Sequence, residues 1–158
     1  MKKFESVQMS DIALHFNNTT NEYDVSVVSG DLAAGNSLET AVIISLFTWA
    51  RAGENDVGVG EPRFGWWGDK IDAENTDSTG SKLYLLKRCK ITQETISKAE
   101  EYIRDALKWM ITDGVASEIT TTVERNPDNK DRLDATIVIS RGDDNTTLKF
   151  NDLWKALR

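Results

Sequence analysis

The sequence predicts an α+β fold: an N-terminal β-hairpin, a buried central helix, a Gly-rich loop, a long amphipathic helix, a C-terminal three-stranded antiparallel meander and a short terminal helix. Three observations carry this. Apolar residues alternate with period two near both ends of the chain, recur with a helical period across residues 93–112, and crowd every side of a helix-length run at 38–50.

The first period-two stretch is Asp11–Phe16, apolar at Ile12, Leu14 and Phe16. Asn17–Asn21 is turn material, and Tyr23, Val25 and Val27 alternate again, which predicts a hairpin with one covered face ended by Ser29-Gly30-Asp31. Asn36-Ser37 is a good N-cap for a helix from Leu38 to about Arg51. Nine of the thirteen positions from Leu38 to Ala50 are apolar, so that helix is expected to be buried on most sides. Residues 53–80 hold six of the ten glycines and seven Asp/Glu against two bases, Arg63 and Lys70. A connection of that length inside a compact domain is uncommon and often functional. Ser81 then caps a short helical segment, Lys82–Arg88.

Thr92 opens the longest helix, about Gln93–Thr112, with Ile96, Ala99, Ile103, Leu107 and Met110 as its buried stripe. Glu94 with Lys98, and Glu100 with Arg104, make favourable pairs four apart on its wet side. Asp113-Gly114 stops it. Three strands follow: about Val115–Glu124 with Ile119, Thr121 and Val123 on one face, Arg132–Ser140 with Leu133, Ala135, Ile137 and Ile139, and Thr146–Phe150 with Leu148 and Phe150. Their turns are Asn126-Pro127-Asp128-Asn129 and Gly142-Asp143-Asp144-Asn145. Asn151 or Asp152 caps a last helical turn carrying Leu153, Trp154 and Leu157. There is no internal repeat or linker, and the 158 residues read as a single domain spanning 1–158.

Composition narrows the function classes. Hydrophobic residues make up 39% and charged residues 28%, too much core material for a disordered chain. The net charge is −7, and it is uneven: residues 1–80 carry 5 Lys/Arg against 13 Asp/Glu, residues 81–158 carry 14 against 13. An acidic chain is a poor binder of nucleic acid. One local basic cluster, Lys82, Lys87, Arg88 and Lys90, is suited to a polyanion or an acidic partner. The single cysteine, Cys89, forms no intrachain disulfide and fits a reducing compartment. The longest apolar run falls short of the roughly 20 residues a membrane span needs, and the N-terminus carries no secretory pattern. No membrane partner is expected.

Catalytic sets are scarce. His15 and Cys89 are each alone of their kind, so no metal and no cofactor is expected. Gly58-Val59-Gly60 lacks the third glycine and the following helix of a phosphate-binding loop. A nucleophilic triad has no candidate. Carboxylates in the loop (Glu54, Asp56, Glu61, Asp69 and Glu74) could in principle supply a glycosidase pair, though acidic, glycine-rich loops are commonly just solvated.

The informative segment is Gly60-Glu61-Pro62-Arg63-Phe64-Gly65-Trp66-Trp67-Gly68-Asp69. Its glycines allow close backbone approach, its rings supply apolar area, and Arg63 is within sequence reach of Glu61 or Asp69 as a bidentate donor. Trp66 and Trp67 either plug the core beneath the loop or face a partner, and adjacent residues of an extended segment can do both. The candidate partner-binding residues are Glu61, Pro62, Arg63, Gly65, Trp66, Trp67, Gly68 and Asp69.

These residues, with Gly30-Asp31-Leu32, Leu38–Thr48, Gly80–Leu86, Ala106-Leu107-Lys108-Trp109 and Asp113–Ala116, make the chain resemble the baseplate protein family of Mu-like phages and prophages, over about residues 8–140. That family is similar to the small baseplate-wedge proteins of T-even phages, whose Glu-Pro-Arg signature reads here as Glu61-Pro62-Arg63. The resemblance implies a structural, non-enzymatic component of a contractile-tail baseplate. Its partners would be other wedge proteins and sheath or tube proteins. It would be made in the bacterial host cytoplasm, carried in the virion, and monomeric or weakly oligomeric alone. The lysozyme-like label of the related proteins leaves a peptidoglycan hydrolase as the alternative.

Overall fold

The structure, a computed structural model, describes residues 12–29, 31–32, 37–71 and 78–157. It is α+β, with an N-terminal two-stranded hairpin, a long helix, a three-stranded antiparallel sheet and a short terminal helix.

The hairpin pairs β1 (Leu14–Asn17) with β2 (Glu22–Val25), Phe16 standing opposite Tyr23. Asn17 Oδ1 accepts the Thr19 and Thr20 N–H groups, and Asn21 takes a positive φ of 55°, so the asparagines form the turn that their composition predicts. The covered face is narrower than expected. Phe16 is buried, whereas all four residues of β2 are exposed. Val27 leaves the hairpin altogether: β3 (Val27–Val28) pairs with β4 (Asp31–Leu32). Asp11 and Gly30 lie outside the described residues.

The central helix, α1, runs Ser37–Phe47 and stops four residues before the expected Arg51. Its stop is tertiary. Thr48 C=O accepts the Ser81 N–H at 2.9 Å and the Ala50 N–H donates to Ser81 C=O at 3.0 Å, a short parallel bridge between Trp49 and Ser81. The Ser81 hydroxyl also donates to Leu46 C=O, satisfying a carbonyl that the helix end leaves open. Leu38, Val42, Ile43, Leu46 and Phe47 are buried as expected, while Ile44 is exposed. Asn36, the expected cap, lies outside the described residues. The segment after Ser81 is a single 3-10 turn, Leu83–Leu86, rather than a helix to Arg88. The Ser81 hydroxyl accepts the Leu83 N–H.

The long helix, α2, spans Gln93–Thr112. Thr92 caps it by accepting the Thr95 N–H. Ala99, Ile103, Leu107 and Met110 are fully buried, and each large member of such a stripe contributes roughly 1.5–3 kcal/mol by leaving water. Glu94 pairs with Lys98 at 2.9 Å. Glu100 does not pair with Arg104: its Oε1 accepts the Val123 N–H at 3.1 Å, because a strand edge lies beside the helix.

That strand is β5 (Glu118–Arg125), the first of three with β6 (Leu133–Arg141) and β7 (Asp144–Phe150) in the order β5-β6-β7. Side-chain parity is as read: Val123, Leu133, Ala135, Ile137, Ile139 and Phe150 are buried, and Ile119 and Leu148 pack against them. Phe150 meets Phe16 and Phe47 edge-on at 5.1 and 5.8 Å between ring centres, joining sheet, hairpin and α1 in one core. The last helix, α3 (Leu153–Ala156), is capped by Asp152, whose carboxylate accepts the Lys155 N–H. Asp134 of β6 fastens this corner. Its carboxylate accepts Arg132 Nε at 2.7 Å, Asn126 Nδ2 at 2.7 Å and the Asp152 N–H at 2.9 Å. Burial alone would raise its pKa, but these donors outweigh that and hold the carboxyl below its ordinary value.

Candidate functional site

The loop between α1 and the 3-10 turn at Leu83 is fixed by its own polar chemistry. Asp56 accepts the Gly53 N–H and pairs with Lys82 at 2.7 Å. The Lys82 ammonium, then the Gly53 N–H, lowers the Asp56 pKa. Arg63 Nε donates to Ala52 C=O at 2.6 Å and its terminal nitrogen reaches Glu54 at 3.3 Å. Arg63 therefore does not bridge to Glu61 or Asp69. It folds back on the segment leaving α1, helped by the Ala52 N–H donating to Phe64 C=O. Asp69 instead accepts the Thr79 N–H at 3.2 Å. Glu61 and Pro62 are exposed, and Glu74 lies outside the described residues.

This backbone course sets the tryptophans at the surface. Trp67–Lys70 forms a 3-10 turn. A Cβ on Gly68 would lie 2.3 Å from the Trp66 ring, so the ring lies directly over that glycine. A Cβ on Gly65 would meet the Arg51 Cα at 2.9 Å, a backbone contact that only glycine permits. Neither tryptophan plugs the core: Trp66 is 43% exposed and Trp67 69%, with ring centres 5.8 Å apart. A core role would need the chain to dip beneath α1, and the Gly65–Arg51 contact holds it on top.

Three aromatic residues outside the expected set extend the surface. Trp49 stacks on Tyr84 at 4.8 Å and meets Phe64 edge-on at 5.6 Å. Tyr84 donates its hydroxyl to Ala50 C=O, and burial raises its pKa. Helical periodicity places Trp49 in the buried helix; the signal against it is that an all-round apolar run ending in Trp has no room for the last ring. Phe64 lies within the informative segment and is half exposed. The result is two groups of rings on one loop and its flanks, Trp49 with Phe64 and Tyr84, and Trp66 with Trp67, on a segment that also carries the Asp56–Lys82 and Arg63–Glu54 pairs. Such an arrangement suits protein–protein docking, where Trp, Tyr and Arg are the usual anchors.

Among the described residues no group of three His, Cys, Asp or Glu is placed to hold a metal, and no helix is long and apolar enough to cross a membrane. Of the expected basic cluster, Lys82 is consumed by Asp56, while Lys87, Arg88 and Lys90 are exposed.

The family model for phage protein GP46 matches residues 38–146, from α1 into β7. The chain belongs to the GP46 family of phage proteins. Among its relatives, the Mu-like prophage FluMu protein gp46 of Haemophilus influenzae is 38% identical over 119 residues, 75% of this chain and 78% of the relative. Baseplate protein gp46 of Escherichia phage Mu is 36% identical over 119 residues, 74% of this chain and 79% of the relative. The Mu-like baseplate family read from the sequence is thus the family the chain is in. The match to the family model spans the whole aromatic loop, β5, β6 and the start of β7, and leaves out the N-terminal hairpin, the rest of β7 and α3.

Proposed function

We propose that this chain is a structural component of a contractile phage or prophage tail baseplate, linking wedge proteins to the sheath or tube. The observation that carries the reading is kinship with a named baseplate protein over three quarters of the chain. Its support in the fold is an exposed aromatic loop, and among the described residues the carboxyls of Asp56, Glu94 and Asp134 are held below their ordinary values by hydrogen-bonded partners. A general acid for glycoside hydrolysis needs a shift the other way, so no enzymatic role is proposed.

In this reading Glu61, Pro62, Arg63, Gly65, Trp66, Trp67, Gly68 and Asp69, with Trp49, Phe64 and Tyr84, face the wedge proteins. The sheet offers a second contact. Lys149 C=O on the outer edge of β7 accepts Asn18 Nδ2, and the Asn151 N–H donates to Asn18 Oδ1. Alternate β7 residues therefore turn their backbone groups outward. Asn18 occupies the end of that edge, and no other described residue bonds the outward groups of Thr147. A groove of about 470 Å³ bordered by Phe16, Glu39 and Thr147–Phe150 runs beside it, and a strand from a sheath protein would add there. The isolated chain is a monomer or weak oligomer, made in the host cytoplasm and carried in the virion. The test is deletion of its gene in the lysogen, followed by electron microscopy of induced particles. Tails without sheath or baseplate are expected; normal tails would refute the proposal.

A further inference from the structure

A second, polar feature lies away from the aromatic loop in sequence. The segment leading into α2, the β5–β6 turn and α3 enclose an open cavity of about 430 Å³, bordered by Cys89, Lys90, Thr92, Arg125, Asp131 and Trp154. We propose that this cleft binds a carboxylate-bearing acidic segment of a partner protein. The identity of the partner as a baseplate protein rests on the reading above; the binding itself does not.

Four observations converge on it. The cations exceed the anions: Lys90 and Arg125 line the cleft against one carboxylate, Asp131, and Lys87 and Arg88, just before it in sequence, are exposed. Arg125 donates its Nε to Lys130 C=O, and no described residue bonds its terminal nitrogens. The cleft also lies at the N-terminus of α2, a 20-residue helix. Thr92 accepts the Thr95 N–H, so the Gln93 and Glu94 N–H groups remain without intrahelical partners, at the positive end of the helix dipole.

The fourth observation is Trp154. Its side chain borders the cleft with a residue exposure of 9%, and no described residue accepts a hydrogen bond from its indole N–H. Among the described residues the side-chain polar atom sealed from solvent without a partner is Thr121 Oγ1. The Trp154 N–H is therefore open to solvent, and the cleft is the space its ring borders. An indole N–H open to solvent is free to donate to a ligand. A glutamate fits all four features: its methylenes lie on the Trp154 and Ile91 surfaces, and its carboxylate takes N–H donors from Arg125, Lys90 and the indole. An extended nucleic acid is disfavoured by the chain's net charge of −7.

The test uses the full chain labelled with nitrogen-15. Five tryptophans give five indole signals, and Trp154→Phe assigns the one concerned. The probes are acetylated, amidated tetraglutamate, the matching tetraglutamine, inorganic phosphate and an eight-nucleotide oligothymidine. The Trp154 signal is expected to shift saturably with tetraglutamate, and alkylation of the exposed Cys89 is expected to slow in its presence. Lys90→Gln, whose side chain makes no internal bond, should weaken binding by about tenfold, the equivalent of roughly 1.4 kcal/mol. Arg125→Gln should do the same or more, and Asp131→Asn should strengthen binding. Equal response to tetraglutamine, binding of phosphate or oligothymidine as tight as of tetraglutamate, or binding unchanged by Lys90→Gln would each overturn the proposal. None of those results would touch the baseplate reading, which depends on the composition of assembled particles.

Discussion

Gly80→Ala should be among the most damaging single-methyl additions in this protein. Gly80 has φ +101°, and a Cβ there would lie 2.3 Å from Thr48 C=O. Backbone in that region costs a non-glycine residue about 1–3 kcal/mol. The clash is with a main-chain carbonyl, so relief requires parting the Trp49–Ser81 bridge. That bridge contains two backbone hydrogen bonds, 2.9 and 3.0 Å long, each worth about 1 kcal/mol net. The sum is about 3–5 kcal/mol, a fall in Tm of roughly 6–20 °C for a chain of this size. Gly114→Ala is the internal control. Gly114 also has a positive φ, +70°, but a Cβ there meets nothing within 4 Å, so only the backbone strain of about 1–2 kcal/mol applies. The assay is urea unfolding of both variants followed by circular dichroism. If the two lose the same stability to within about 0.5 kcal/mol, the bridge does not hold the end of α1 and the reasoning fails.

Asp134→Asn should cost about 1.5–3 kcal/mol at neutral pH, since it weakens charge-assisted bonds to Arg132, Asn126 and Asp152. Because the folded pKa lies below the ordinary 3.8, the wild-type advantage is full above that pH and is lost as the pH falls through the folded value; unfolding curves from pH 7 downward check this. Glu100→Ala should leave the Val123 amide without its acceptor, costing about 1–2 kcal/mol and accelerating hydrogen exchange at that amide. Trp67→Ala should cost less than about 1 kcal/mol because the ring is mostly in water, whereas Leu107→Ala, fully buried, should cost about 2–5 kcal/mol. Tail assembly in a complementation assay should fail with Trp67→Ala all the same.

The elements that could be read from the sequence are those whose signals are local. Thr92 with the 3.6-residue recurrence of Ala99, Ile103 and Met110 gives α2 to the residue. Alternation at Leu133, Ala135, Ile137 and Ile139, with Asn126-Pro127-Asp128-Asn129 before it, gives β6 and its turn. What was not legible is set by contacts distant in sequence. Nothing in Thr48-Trp49-Ala50-Arg51 forbids a helix; its end is dictated by Gly80 and Ser81, some thirty residues later. Arg63 had two plausible carboxylates nearby and uses a third, Glu54, because its Nε is first drawn to Ala52 C=O. Sequence spacing puts Glu100 on the solvated side of α2, and only the tertiary placement of β5 beside it supplies the Val123 N–H it accepts. At the site, the Trp-Trp and glycine spacing marks the loop, but the Gly65–Arg51 approach and the joining of Trp49 to Tyr84 through the Ser81 bridge and the Ala50 carbonyl are contacts distant in sequence, which one sequence does not reveal.

The most direct measurement is a cryo-electron microscopy map of the intact tail that contains this chain. The account predicts density for it at the baseplate end, with Trp66 and Trp67, which are 43% and 69% exposed in the isolated chain, buried against a neighbouring subunit. A chain located elsewhere in the particle, or one in the baseplate whose Trp66-Trp67 loop faces solvent, would contradict it.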